Sequence, residues 1–282
     1  MMAKRTLWAR VQRVWITTGL LATVGFFAWS YLAYRATPEA RAALRTDSRV
    51  KVDVVNGIRM FTPAAQSAAV PVGLMFFAGS MVEPEAYAPL AQAVALAGYP
   101  VILVPLPKRG MFGGADDPNL VHNAVNAMHE DMRATRWVLG GHSRGAVVAT
   151  KIVAQLTAMG GGAVAGLVLV GTTHPRDVDL SALKVPVTKI VGTKDGVAPL
   201  AKSEANRALL PPTTTWVRIE GGNHSQFGWY GFQPFDHFAS ISRAEQQRQM
   251  ITGIVNALRE AGEKKTPGVM RPGVPRTEGT PL

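Results

Sequence analysis

The chain has 282 residues, 47% of them hydrophobic and 17% charged, enough for one large α/β domain with a substantial core. It contains no cysteine, which excludes disulfides, cysteine-ligated zinc and a lipid-modified cysteine anchor. The formal charge of +11 is unevenly spread: residues 1–51 hold nine Lys/Arg against two acids, residues 262–282 four against two, and 52–261 carries only +2. A nucleic-acid-binding domain would wear its charge on the folded body. Here most of it flanks an apolar segment, so the balance points to a membrane and away from nucleic acid.

Residues 14–34 (VWITTGLLATVGFFAWSYLAY) are 21 without a charge, long enough at 1.5 Å per residue to cross a hydrocarbon layer of about 30 Å. Trp15, Trp29, Tyr31 and Tyr34 crowd its ends as interfacial aromatics do. Lys4, Arg5, Arg10 and Arg13 precede it, against Arg35, Arg41 and Arg45 after it. With the amino terminus added to the first group, the expectation for 1–35 is a cytoplasmic stub and single-pass anchor, with the following domain outside the cytoplasm. A signal peptide cleaved to release a secreted domain is the alternative, though Ala28 and Ser30 make a poor small-x-small site. A buried core helix is the third reading.

Residues 36–51 read as a short polar helix or linker. Residues 50–61 alternate as a hairpin turning at Asn56-Gly57. The continuous apolar run 70–77 fits a strand buried on both faces of a parallel sheet. Pro84 opens a helix through 97, stopped by Gly98. A strand at 101–104, a Pro/Gly/Asp loop at 105–118 and a helix at 120–132 come next. After the segment around residue 143, strands are expected at 166–170, 185–191 and 214–219, and helices at 199–209 and 243–260. The Pro/Gly-rich stretch 262–282 has the composition of a disordered tail. Strands alternating with helices imply an α/β fold, a doubly wound, mostly parallel sheet over 52–261, which binds ligands at the carboxyl ends of its strands. No repeat is visible, and no insertion is long enough for a separate lid domain.

The most informative stretch is Trp137-Val-Leu-Gly-Gly-His-Ser-Arg-Gly-Ala146. An apolar run meets Gly141-His142-Ser143-Arg144-Gly145, and an Ala/Val-rich helical pattern follows to Ala158. This reads as strand, one-residue turn and helix, with Ser143 at the apex as a nucleophile. So sharp a turn forces the serine into a sparsely populated backbone region, and larger residues at 141 or 145 would clash with neighbouring strand and helix. A serine hydroxyl needs a base, and the base an acid to hold its tautomer. In this arrangement the order is serine, acid, histidine. Asp195-Gly196 ends the strand-like run from Val187, and Ile219-Glu-Gly-Gly-Asn-His224 is a strand running into a flexible loop. Asp195 and His224 are therefore the expected partners. Asp177 is the runner-up acid; His122 and His129 fall on a helix and read as solvated; His142 points away from its neighbour; Asp236 and His237 could line a pocket. The oxyanion donors are expected at the backbone N–H groups of Arg144 and of Ser80 in the Gly79-Ser80 loop. The Arg144 side chain either meets an anionic substrate or is ion-paired at the rim.

Four blocks carry a resemblance: Phe76-Phe-Ala-Gly-Ser-Met-Val-Glu-Pro-Glu-Ala-Tyr-Ala-Pro-Leu-Ala91, Gly140-Gly-His-Ser-Arg-Gly-Ala146, Gly192-Thr-Lys-Asp195-Gly196 and Gly221-Gly-Asn-His-Ser-Gln-Phe-Gly-Trp-Tyr-Gly231. Over residues 52–260 the chain resembles the α/β-hydrolase superfamily, and more narrowly small lidless bacterial members of its dienelactone-hydrolase-like branch. The resemblance implies an α/β-hydrolase fold and serine-dependent acyl hydrolysis with no cofactor and no metal. Two departures matter: Ala78-Gly79-Ser80 replaces a glycine-richer or His-Gly loop, and Ser143 stands where dienelactone hydrolases proper use cysteine. The expected reaction is hydrolysis of an ester-like bond in a small acyl substrate through an acyl-enzyme on Ser143. Gly79, His142 and the aromatics Phe227, Trp229 and Tyr230 would form the substrate pocket. An acyltransferase with the same triad, or a non-catalytic membrane-tethered binding module, are the alternatives.

Overall fold

The computed structural model describes residues 2–55, 57–66, 68–130 and 133–263. Asn56, the end of the helix expected to reach 132 and most of the expected tail lie outside the described residues. The uncharged amino-terminal run forms one helix, α1 (Met2–Ala33), of which Leu7–Ala33 is long and apolar enough to cross a membrane; 6% of its most apolar window is buried. So little burial is incompatible with the core-helix reading. A short helix, α2 (Pro38–Ala42), is capped by the Thr37 side chain, which accepts from Ala40 N. The stretch 36–51 is more than a tether, because Ala36, Ala40, Ala43 and Val50 are buried in the domain core. Their small side chains among Arg, Thr and Asp disguise that packing in the sequence.

β1 (Val50–Val55) and β2 (Ile58–Pro63) pair as an antiparallel hairpin, with Gly57 at φ 80° in the turn. β3 (Val70–Phe77), β4 (Val101–Val104), β5 (Ala134–His142), β6 (Val164–Val170), β7 (Val187–Gly192) and β8 (Thr215–Ile219) are mutually parallel. The eight-stranded order is β1-β2-β4-β3-β5-β6-β7-β8. Helices cover both faces, which is why the central strands are apolar on successive residues rather than alternate ones. Leu74 and Phe76 point into a layer shared with α3 (Ala88–Leu96) and α7 (Arg243–Glu263). Met75 and Phe77 point into the opposite layer, shared with α4 (Asn119–Glu130) and α5 (Arg144–Ala158).

Two expected helices are shorter than their sequence patterns. The one opening at Pro84 starts as a 3-10 turn, Pro84–Tyr87, before α3 begins. The one expected over 199–209 breaks after α6 (Leu200–Ala205) at Asn206, whose side-chain amide donates to Thr173 O at 2.8 Å and Lys202 O at 3.3 Å. The fold thereby collects the loops after β3, β4, β5, β7 and β8 along one edge.

Candidate active site

His142 is the last residue of β5 and Arg144 the first of α5, leaving Ser143 alone between them at φ 53°, ψ −117°. A non-glycine residue held there is strained by about 1–3 kcal/mol, sustained by its surroundings. Ser143 N donates to Val170 O at 2.9 Å, fixing the turn to β6. The flanking glycines are sterically compelled. A Cβ on Gly141 would lie 2.4 Å from the Gly145 carbonyl carbon, and one on Gly145 would lie 2.2 Å from Phe77 O. Ser143 remains half-buried. Among the described residues, no hydrogen bond engages the N–H of Arg144, which opens α5, or of Ser80 in the loop after β3. Free N–H groups at a helix start favour negative charge.

His224 follows the glycine-containing turn after β8, where Gly221 takes φ 75°. Its side chain is wholly buried, and Nδ1 lies 2.9 Å from Asp195 Oδ2. The other Asp195 oxygen accepts from Val197 N at 2.9 Å and Ala198 N at 2.6 Å, so the carboxylate is held at both ends. An ionised carboxylate only accepts, which assigns the imidazole proton to Nδ1 and leaves Nε2 as an acceptor. That Nε2 is buried and has no hydrogen-bond partner. The fold thus brings Asp195 and His224 together, and sets His142, the neighbour of Ser143, with its ring centroid 4.4 Å from that of His224. Ser143 itself makes no hydrogen bond to His224. Asp177 is exposed and takes no part.

Residues 73–248 match the family model described as the alpha/beta hydrolase family. The chain belongs to this family. Among solved structures, an esterase from Pyrobaculum calidifontis is similar at 16% identity, over 78% of this chain and 87% of its own, with a TM-score of 0.57. A bacterial heroin esterase is similar at 17% identity over 78% and 88%, TM-score 0.56, and a fungal esterase from Rhizomucor miehei at 14% over 80% and 86%, TM-score 0.57. At such identities the likeness is one of fold. No curated protein matches the chain, and the narrower dienelactone-hydrolase-like resemblance gains nothing from these matches.

Asp236, expected to line a pocket, accepts five hydrogen bonds. Its Oδ1 accepts from Gly196 N at 3.1 Å, His224 N at 3.1 Å and His237 N at 2.9 Å. Its Oδ2 accepts from Ser225 N and Ser225 Oγ, both at 2.7 Å. One side chain therefore ties the loop bearing Asp195 to the loop bearing His224. Its sequence setting, Gln-Pro-Phe-Asp-His, carries no signal of this. Asn223 joins from the other side: its N donates to Gln246 Oε1 of α7 at 3.0 Å, while its Nδ2 donates to His237 O at 2.8 Å.

Three of the residues expected to line a pocket, His142, Phe227 and Tyr230, are buried in the packing of this edge. His142 is wholly buried, packed on Tyr87, His224 and Phe227 rather than on open space. Tyr87 OH accepts from Gly79 N at 3.1 Å and lies within hydrogen-bond distance, 2.8 Å, of His142 Nδ1. The Gly79 N–H is consequently spent on Tyr87. Burial, reinforced by repulsion from His224, holds the His142 imidazole well below the usual histidine range, so it stays neutral. Phe227 and Tyr230 are wholly buried and have no surface for a substrate; Trp229 is half-buried and bonds through its backbone to Ala86 and Thr37. The apolar character that suggested a pocket is used in packing this edge against α1 and the turn at 84–87. The Arg144 side chain is ion-paired to Asp116, which also receives Lys151 Nζ at 2.6 Å. His122 is exposed and bonded to Asn126 at 3.0 Å; the His129 side chain lies outside the described residues. Among the described residues no group of three or more His, Asp or Glu is arranged to hold a metal ion. A cavity of about 700 Å³ opens at the far edge of the sheet, walled by Arg136, Gly161, Val164, Asp179 and Lys184, remote from Ser143.

Proposed function

We propose that this hydrolase cleaves an ester-like acyl bond by a serine mechanism, within a domain spanning 52–261. Ser143 Oγ attacks the carbonyl carbon as His224 Nε2 takes its proton, and Asp195 steadies the resulting imidazolium through Nδ1–H. The oxyanion is received by the N–H groups of Arg144 and Ser80. His224 returns the proton to the leaving alkoxide, and water then repeats the sequence on the acyl-enzyme to release the acid and restore Ser143. The observation that carries this reading is the buried Asp195–His224 pair at 2.9 Å, with its unpartnered Nε2, beside a serine strained at φ 53°. Ser143 closes its hydrogen bond to Nε2 when substrate is bound, since such contacts are commonly long in an empty site.

We further read α1 as a retained single-pass anchor that leaves the domain outside the cytoplasm. Retention is supported by Ser30 and Tyr34, which are buried against the domain. The test uses full-length protein in mild detergent. A fluorophosphonate probe should label the wild type and leave folded Ser143→Ala unlabelled, with hydrolysis of p-nitrophenyl esters falling at least about a thousandfold. Labelling that persists in Ser143→Ala overturns the assignment.

A further inference from the structure

The last turn of α1 is built into the same edge as Ser143. Glu83 N donates to Tyr34 O at 3.1 Å, Gly231 N to Ala33 O at 2.8 Å, and Thr37 N to Trp229 O at 2.9 Å. Arg109 donates to Tyr31 O at 3.2 Å, with its guanidinium 4.0 Å over the Tyr31 ring, and the Tyr34 ring packs edge-on to Tyr230 at 5.7 Å. These contacts come from the loops after β3, β4 and β8, two of which also carry Ser80 and His224. Attachment through three loops fixes the direction in which the helix leaves, so an inserted α1 turns the carboxyl edge of the sheet toward the bilayer.

That edge is dressed for lipid. Outside α1, every exposed phenylalanine among the described residues lies on it: Phe112, Phe232, Phe235 and Phe238. Phe112 is 78% exposed, and its ring lies 6.4 Å from Phe27 of α1, at the level of the apolar segment itself. Phe235 is 87% exposed at φ 68°, on a loop anchored by its neighbour Asp236. Phe232 and Phe238 stack on each other at 4.9 Å. Aromatic rings presented to water on rigid loops are costly unless something apolar covers them. Around the base of α1, Arg35, Arg41 and Arg109 share the single carboxylate Glu83, leaving net positive charge beside exposed Lys108. Phenylalanines with cations around them match the boundary between acyl chains and anionic headgroups.

We propose that the carboxyl edge lies on the membrane that α1 enters, and that the acyl substrate is an amphiphilic ester taken from that membrane, its carbonyl presented to Ser143 while its chain stays in lipid. The substrate half of this proposal rests on the serine-hydrolase reading; the docking half does not. Because the native chain has no cysteine, single nitroxide labels can be placed without removing any residue for the purpose. Full-length Phe112→Cys, Phe235→Cys and Met159→Cys, the last 76% exposed at the far end of α5, are labelled and reconstituted in vesicles of phosphatidylcholine and phosphatidylglycerol. Labels at 112 and 235 should be relaxed by oxygen more than by a water-soluble nickel chelate, and the label at 159 the reverse. Equal chelate access at all three positions overturns the docking. Spin–spin broadening at 112 or 235, persisting in detergent, also overturns it by showing that a second copy covers the patch. In the activity arm, the double variant Phe112→Ser/Phe235→Ser should lower turnover of a vesicle-borne long-chain ester about tenfold while sparing p-nitrophenyl acetate in water. Equal loss on both esters overturns the substrate assignment. If the wild type hydrolyses neither ester, the serine-hydrolase reading fails, and the label depths still decide the docking.

Discussion

At the carboxyl edge of the sheet, buried ionisable groups are held by specific partners: Asp195 by His224 and two backbone N–H groups, Asp236 by five donors, His142 by Tyr87. At the amino edge a hollow of about 700 Å³ opens between the end of α5 and the start of β6, walled largely by glycine, alanine and short aliphatic side chains. Volume alone marks a place where packing is loose; a strained serine and a desolvated carboxylate–imidazole pair mark a place where stability has been given up for geometry.

The sharpest way to break this contrast is to remove the carboxylate behind His224. Asp195→Asn should keep the fold yet slow ester hydrolysis by about a thousand- to ten-thousandfold, because the amide no longer enforces the Nδ1–H tautomer. Steady-state kinetics on wild type and variant would decide it, and a loss below tenfold would refute the role. Asp236 contributes through the positions of other groups. Asp236→Asn turns one acceptor oxygen into an NH2 that faces donors, at a cost of about 2–4 kcal/mol. A misplaced imidazole should lower kcat about ten- to a hundredfold with KM little changed. A purely structural residue would lower melting temperature and leave kcat per folded molecule intact, so the two readouts separate.

Acid should attack the same edge. Burial and neighbouring cations hold His174, in the loop after β6, down at about 4, and burial also holds His142 well below the usual histidine range. The unfolded chain therefore takes up protons near pH 6.5 that the native chain refuses, so stability is full above about pH 6.5 and is lost as the pH falls toward 4. Calorimetry should give a lower Tm at pH 5 than at pH 7, and His174→Asn should flatten the slope. A Tm independent of pH across this window would contradict the burial of neutral histidines. The smallest effect is expected at the other edge. Ala182→Leu, which narrows the 700 Å³ cavity, should leave ester hydrolysis within about twofold of wild type; a large loss would mean that the amino edge takes part in function after all.

Much of the architecture is legible in residue order, because it depends on short-range physics. Continuous apolar runs at β3 and β4, the Gly-x-Ser-x-Gly turn and the uncharged 14–34 segment each announce their element without reference to the rest of the chain. The choice of Asp195 and His224 was also reachable, since both end strand-like runs and parallel strands deliver their carboxyl ends to one edge. Pocket aromatics were not. Phe227 and Tyr230 have the composition of a substrate wall, and only the packing of α1 and Tyr87 against them decides that they are core. Asp236 is equally silent: its five donors come from residues 196, 224, 225 and 237, a convergence that exists only once two loops are folded together.

By itself, then, the order of residues determined the α/β class, the sharp serine turn and an amino-terminal helix fit to cross a bilayer, since periodicity, glycine sterics and hydropathy are local properties. The packing of distant segments was needed to show that Asp236 clamps the loop bearing His224 and that the end of α1 joins the domain at the edge bearing Ser143. Those outcomes depend on desolvation and on hydrogen bonds between segments distant in the chain, and neither exists before the segments meet.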